Sequence, residues 1–233
     1  LISYRLKMAG ARPYFVKAEM QSVDEEPKAE AALPSLQKEI KVENLSFSYG
    51  EKEVLKGQNL TFQKGGKYAI VGRSGCGKTT FLKLLLGQLK GYEGKILYDG
   101  KELSSYDVDS FYEQMAYIEQ SIFLFDTSIR NNITLGDGVS AEKLEEILAM
   151  SALKEEIKKF PDGLETKAGE NGKNFSGGQK QRIAVARALA HDRQILFVDE
   201  GTSALDAENA MVIEQALLAC KNPVSYTHLT LPT

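Results

Sequence analysis

The chain has 233 residues, enough for one sizeable α/β core with an appendage or for two small domains, and its 42% hydrophobic and 26% charged content is that of a soluble globular protein. A net charge of -3 provides no basic groove, so nucleic acid is not expected as a partner. No run reaches the roughly 18 apolar residues of a membrane span, no signal-peptide pattern is present, and the two cysteines, Cys76 and Cys220, lack metal or redox spacing and point to a reducing compartment.

The sequence opens on Leu1 rather than methionine, in an apolar and basic stretch running to Met20 without a cap or turn signal, and it reads as part of a longer protein. Residues 21–37 carry two prolines and an acidic excess, which is linker composition, so a compact domain is expected over 38–223. From Glu39 a strand alternates through Ile40 and Val42, slips phase, and resumes at Leu45, Phe47 and Tyr49. The slip predicts a bulge. Asn59–Gln63 reads as a second strand and Lys67–Val71 as a short apolar one.

Next comes Gly72-Arg73-Ser74-Gly75-Cys76-Gly77-Lys78-Thr79, then a helix pattern with Phe81, Leu82, Leu85, Leu86 and Leu89 on one side. Residues 109–160 read as mostly helical: Leu144, Ile147 and Leu148 share a face of Ala141–Met150, and Leu153–Phe160 repeats the pattern. This block resembles an insertion, with a helical subdomain expected at about 107–175. A glycine turn at Gly177-Gly178 leads into the alanine-rich helix Gln181–Ala190, and the apolar strand Ile195–Val198 ends in Asp199-Glu200. Asp206 is placed to cap a last helix, Ala207–Ala219, whose inward face is expected to be Val212, Ile213, Ala216 and Leu217.

The segment 72–79 fits G-x-x-x-x-G-K-[ST] between a strand and a helix. Glycines let successive N–H groups turn inward around a phosphate, and the helix N-terminus adds partial positive charge. Lys78 would reach the β- and γ-phosphates, Thr79 would take a position on Mg²⁺, and Thr80 adds a phosphate contact. Cys76 reads as a small residue tolerated in the loop. Acids at a strand's C-terminal edge lie where open α/β sheets bind ligands: Asp199 is placed to hold Mg²⁺ through water, and Glu200 to orient or deprotonate an attacking water. Strands also end in acids for solubility alone. Phe175-Ser176-Gly177-Gly178-Gln179 opens a helix and offers a second anion cradle, though Ser176 alone would serve as a plain cap.

Over about residues 38–222 these residues resemble the ABC ATPase family. The loop at 72–79, the Ser176-Gly177-Gly178-Gln179 signature, Asp199-Glu200 and Ser203-Ala204-Leu205-Asp206 stand in that family's order. The resemblance implies an α/β fold with a P-loop NTPase (RecA-like) ABC ATPase core, an N-terminal antiparallel β subdomain and the inserted helical subdomain. It also implies roles: Tyr49 as the aromatic stacking on adenine, Gln120 as the glutamine sensing Mg²⁺, and Asp206 as a subunit-bridging aspartate. In that family two domains face head to tail, and the signature of one closes on the ATP held by the other. Gly169-Glu170-Asn171-Gly172 and Phe123-Leu124-Phe125-Asp126 are similar to the exporter branch, in which transmembrane domains are the second partner and the ATPase lies at the cytoplasmic face of the membrane. A soluble ABC ATPase clamping a macromolecule is the alternative.

Two departures stand out. Phe175 takes the place where leucine is commonest. The run from about Val224 onward is not expected to form the family's strand, places His228 too early for the switch histidine, and reads as translated adapter sequence rather than native protein. Hydrolysis by this chain is therefore expected to be slow.

Overall fold

A computed structural model of the chain describes residues 32–73, 75–107, 110, 113–191, 193–199, 205, 207–219 and 224–228. The strands are β1 (Glu39–Tyr49), β2 (Lys52–Gln63), β3 (Tyr68–Val71), β4 (Glu93–Tyr98), β5 (Lys101–Glu102), β6 (Met115–Ile118), β7 (Ile195–Asp199) and β8 (Val224–His228). The helices are α1 (Lys78–Leu85), α2 (Ile129–Thr134), α3 (Ala141–Met150), α4 (Lys154–Ile157), α5 (Gly177–Ala190) and α6 (Ala207–Ala219). They divide between two compact units, one comprising the described parts of Val23–Tyr117, Gln194–Glu200 and Lys221–Thr233, the other those of Ile118–Arg193 and Gly201–Cys220.

One sheet is antiparallel with order β2-β1-β4-β5. The phase slip after Val42 is a real irregularity: the β1–β2 register shifts between Val42 and Leu45 and again before Phe47, which keeps Val42, Leu45 and Phe47 buried across the break. β2 is longer than the Asn59–Gln63 expected from alternation. It begins at Lys52, and as the edge of its sheet it carries Lys52, Glu53 and Lys56 facing solvent, so its first half lacks an apolar period to recognise.

The Asp99 carboxylate anchors the start of β1 by accepting the N–H groups of Gln37 (2.7 Å), Lys38 (2.7 Å) and Glu39 (2.9 Å). Burial alone would push this carboxyl up, but the three donors together hold it below its ordinary range. A depressed folded-state pKa contributes stability that is present above the unfolded value near ~4 and is lost as pH falls through the folded one. Asp99→Ala is expected to cost about 1–3 kcal/mol at neutral pH, with the gap to the parent narrowing as urea midpoints are measured below about pH 4.

The second sheet has order β3-β8-β7-β6, with β8 parallel to both β3 and β7. β7 is buried along its whole length, as a central parallel strand must be. The core of this unit joins Ile40, Val42 and Leu45 of β1 to Phe81, Leu82 and Leu85 of α1, to Ile96 and Tyr98 of β4 and to Phe197 of β7. Two expectations are corrected here. β6 is a strand inside the stretch read as mostly helical, because four residues with no full helical turn of period carry no sign of their state. β8 forms where no strand was expected, since Val224, Tyr226 and Thr227 are β-formers and the place between β3 and β7 is open to them.

In the helical unit α2 and α3 pack on α5, and α3 meets α6. Ser128 caps α2 and Ser140 caps α3, each accepting the N–H three residues on. Leu144, Ile147 and Leu148 form the buried face of α3 as the period predicts. On α6, Ile213 and Leu217 are buried but Val212 is exposed, one position off the inward stripe. Leu153–Phe160 holds only the single turn α4. No helix among the described residues is long and apolar enough to cross a membrane.

Candidate nucleotide-binding site

The phosphate loop follows β3, and Asp199 ends β7, so both stand at the carboxyl edge of the parallel sheet. Gly75 and Gly77 hold φ of 77° and 98°, which turns the backbone into α1 at Lys78. At Gly77 a Cβ would lie 2.8 Å from Val54 Cγ1, so only glycine lets β2 close against the loop. The antiparallel sheet is thereby seated on the phosphate loop. The hairpin leading into β2 carries Tyr49, half exposed, with its ring edge-on to Phe47 at 4.9 Å.

Inside the loop Lys78 is buried, and its ammonium donates to the carbonyls of Gly72 (2.8 Å) and Arg73 (3.1 Å). Thr79 donates its hydroxyl to Asp199 Oδ2 at 2.6 Å, although the two lie 120 residues apart in sequence. The Tyr117 hydroxyl of β6 adds a longer contact, 3.4 Å, to the same oxygen. Asp199 is itself buried. Gly72 and Arg73 frame the loop, Thr80 is buried in the first turn of α1, and Cys76 is exposed with its sulfur against Gly72. Ser74, Glu200 and Asp206 lie outside the described residues, as do Ser203 and Ala204.

A hydroxyl and a carboxylate in contact beside a phosphate loop form a hard-oxygen pair. The oxygens of this pair are of the kind Mg²⁺ takes, one or two from protein with the rest of the shell from phosphates and water.

The helical unit carries the Ser176–Gln179 turn. Ser176 accepts the N–H of Gln179 (3.2 Å) while the Gln179 side-chain carbonyl accepts the N–H of Ser176 (2.9 Å), a capping box that leaves the first N–H groups of α5 without intrahelical acceptors. The plain cap expected of Ser176 is therefore present, as half of a capping box. Gly172, at φ 69°, lies so close to Leu124 and the Lys180 stem that a Cβ would fall 3.0 Å from Leu124 Cδ1. Lys180 then donates to Asn171 O at 2.9 Å, tying the turn at Glu170–Gly172 to the start of α5. Phe175 is accommodated by an edge-on contact with Phe160 at 5.5 Å. Gln120 is exposed just after β6.

His191 stands at the end of α5, where sequence alone suggests a surface residue complementing the helix dipole, but its side chain is only 8% exposed, with Nδ1 3.1 Å from Asp137. Burial first, and Arg193 second, push its pKa down.

The sequence model described as ABC transporter matches residues 55–203. The chain belongs to the ABC transporter family. Its fold agrees with that of a bacterial Atm1-family ABC exporter with ATP bound, at TM-score 0.78 and 31% identity over 94% of this chain and 38% of that one. It is 41% identical over 183 residues to the ATP-dependent lipid A-core flippase of Escherichia coli K12, covering 77% of this chain and 31% of the flippase. It is also 39% identical over 199 residues to multidrug resistance protein pgp-1 of Caenorhabditis elegans, covering 84% of this chain and 15% of that protein. The ABC domain seen here therefore spans about a third or less of the length of these curated relatives.

Proposed function

We propose that this ABC domain binds Mg–ATP and hydrolyses it to drive an exporter, with ATP closing two such domains head to tail and hydrolysis releasing them. The observation that carries the reading is the Thr79–Asp199 contact beside a loop already wrapped on Lys78. Tyr49 would stack on the adenine, the loop backbone and Lys78 would hold the phosphates, and Thr79 with Asp199 would hold Mg²⁺, which neutralises charge on the phosphate oxygens. Gln120 would report the occupancy of that site. Glu200 would take the proton of the attacking water, and Ser176 to Gln179, with Asp206, would meet the nucleotide of the second domain.

The reading places the domain at the cytoplasmic face of a membrane, joined to transmembrane domains. The flippase and exporter relatives support it, as does the Gly169–Gly172 turn. Equilibrium ATP binding together with phosphate release by the 233-residue chain tests the enzyme part, and ATP bound without any release would make it a regulatory module. Tyr49→Ala is expected to weaken ATP about fivefold to tenfold while leaving inorganic triphosphate binding unchanged. Reading the coding DNA upstream of Leu1 tests the exporter part. Hydrophobic spans are expected there, and a start codon adjoining Leu1 would favour the soluble clamp.

A further inference from the structure

The signature turn is held by a side chain from outside it. Glu156, on the short helix α4, accepts from the Gln179 side-chain NH₂ at 3.2 Å through Oε2, and its Oε1 receives Lys159 (2.6 Å) and faces Arg182 Nη1 (3.5 Å). The carboxylate is 18% exposed. Gln179 has one amide with a donor end and an acceptor end, and its orientation decides whether the capping box exists. The Ser176 N–H can only donate and the Glu156 carboxylate can only accept, so together they admit one orientation, with Oε1 on Ser176 N and Nε2 on Glu156. In the other half of the capping box Ser176 Oγ accepts the Gln179 backbone N–H, which leaves the hydroxyl proton available to an incoming phosphate oxygen.

We infer that Glu156 is a positioning residue for the signature serine, fixing the Gln179 amide so that Ser176 and the first turn of α5 stay set to receive the nucleotide carried by a second domain. Lys159 and Arg182 hold the carboxylate in place and offset its charge near an approaching phosphate. The inference rests on the reading of Ser176–Gln179 as the surface that closes on a partner's ATP. A carboxylate tied to the amide would act on closure of the pair and not on the binding of ATP to the phosphate loop, which lies in the other unit.

The test measures two quantities on the full chain: ATP affinity by equilibrium binding, and self-association in saturating non-hydrolysable Mg–ATP analogue by sedimentation. Glu156→Ala is expected to weaken nucleotide-dependent association about fivefold with ATP affinity and thermal midpoint unchanged. Glu156→Gln keeps an acceptor oxygen and is expected to stay within about twofold of the parent. Parental association in Glu156→Ala would overturn the inference. So would equal losses in both variants, which would make the charge and not the orientation the operative property, or a loss of association that merely follows a fall in thermal midpoint. Ser176→Ala separates the two levels. Its failure to weaken association would overturn the signature reading and the inference with it, whereas weakening by Ser176→Ala but not by Glu156→Ala overturns the inference alone.

Discussion

Lys78→Ala is expected to weaken ATP binding by about 3 kcal/mol, roughly a hundredfold in Kd, with little change in the folded state. The ammonium is already buried within the loop, where it donates to Gly72 O and Arg73 O, so no reorganisation of the chain is needed to bring it to a phosphate. Removing it leaves the loop's N–H groups in place but takes away the buried ammonium held by the Gly72 and Arg73 carbonyls. Glu200→Gln is the informative contrast. It is expected to hold ATP within about twofold of the parent while lowering phosphate release by about 10²–10⁴, because in the proposed function Glu200 is a base and not a phosphate contact. Isothermal titration and a phosphate-release assay on the two variants separate binding from chemistry. Retention of ATP by Lys78→Ala at parental affinity would rule out the phosphate-loop assignment.

The second large effect is one of stability. Arg187 is buried in the helical unit, donates to Asn132 O (2.6 Å), Asn132 Oδ1 (2.7 Å) and Phe123 O (3.0 Å), and lies over the Phe125 ring at 5.8 Å. Burial pulls its pKa down to about 9. Asn132, fully buried, extends the network by accepting from Phe125 N and donating to Phe125 O and Ser128 O. Arg187→Ala is expected to cost about 3–5 kcal/mol, since it opens a cavity, takes the Arg187 donor from Asn132 O and Phe123 O, and leaves Asn132 Oδ1 only the Phe125 N–H. Arg187→Lys is expected to recover only part of that, because a single ammonium cannot span the separate oxygens that the planar fork reaches. Denaturant midpoints at unchanged slope measure both. A loss below about 1 kcal/mol for the alanine variant would show that the network is not what holds the Phe123–Asn132 segment.

Sequence reading reached furthest where local chemistry and tertiary role coincide. The loop from Gly72 to Thr79 could be placed because glycines, lysine and threonine at that spacing have few other uses. α6 was bounded correctly at Ala207–Ala219 because a helical period ran uninterrupted between its flanks. β2 and β6 were not legible for opposite reasons: the first half of β2 is an edge with a solvated face, and β6 is too short to show a period. Glu156 gave no signal, because its partner Gln179 is 23 residues away and α4 is an ordinary charged turn. Arg187 did leave a trace. It follows Ile183 by four residues on the apolar stripe of α5, and a charge at a core position of a helix calls for partners that only the fold could name.

That stripe position has a mechanical consequence. α5 is a 14-residue rod about 21 Å long, with Ser176 at its leading end and Arg187 near its trailing end bolted to the segment just beyond Gln120. Arg187 clamps that segment at three points, and beyond its first turn the rod has no proline or glycine, the usual sites of a sharp kink. The Phe123–Asn132 segment and the signature turn are thus attached to opposite ends of one helix, so a movement of α5 as a body would carry both.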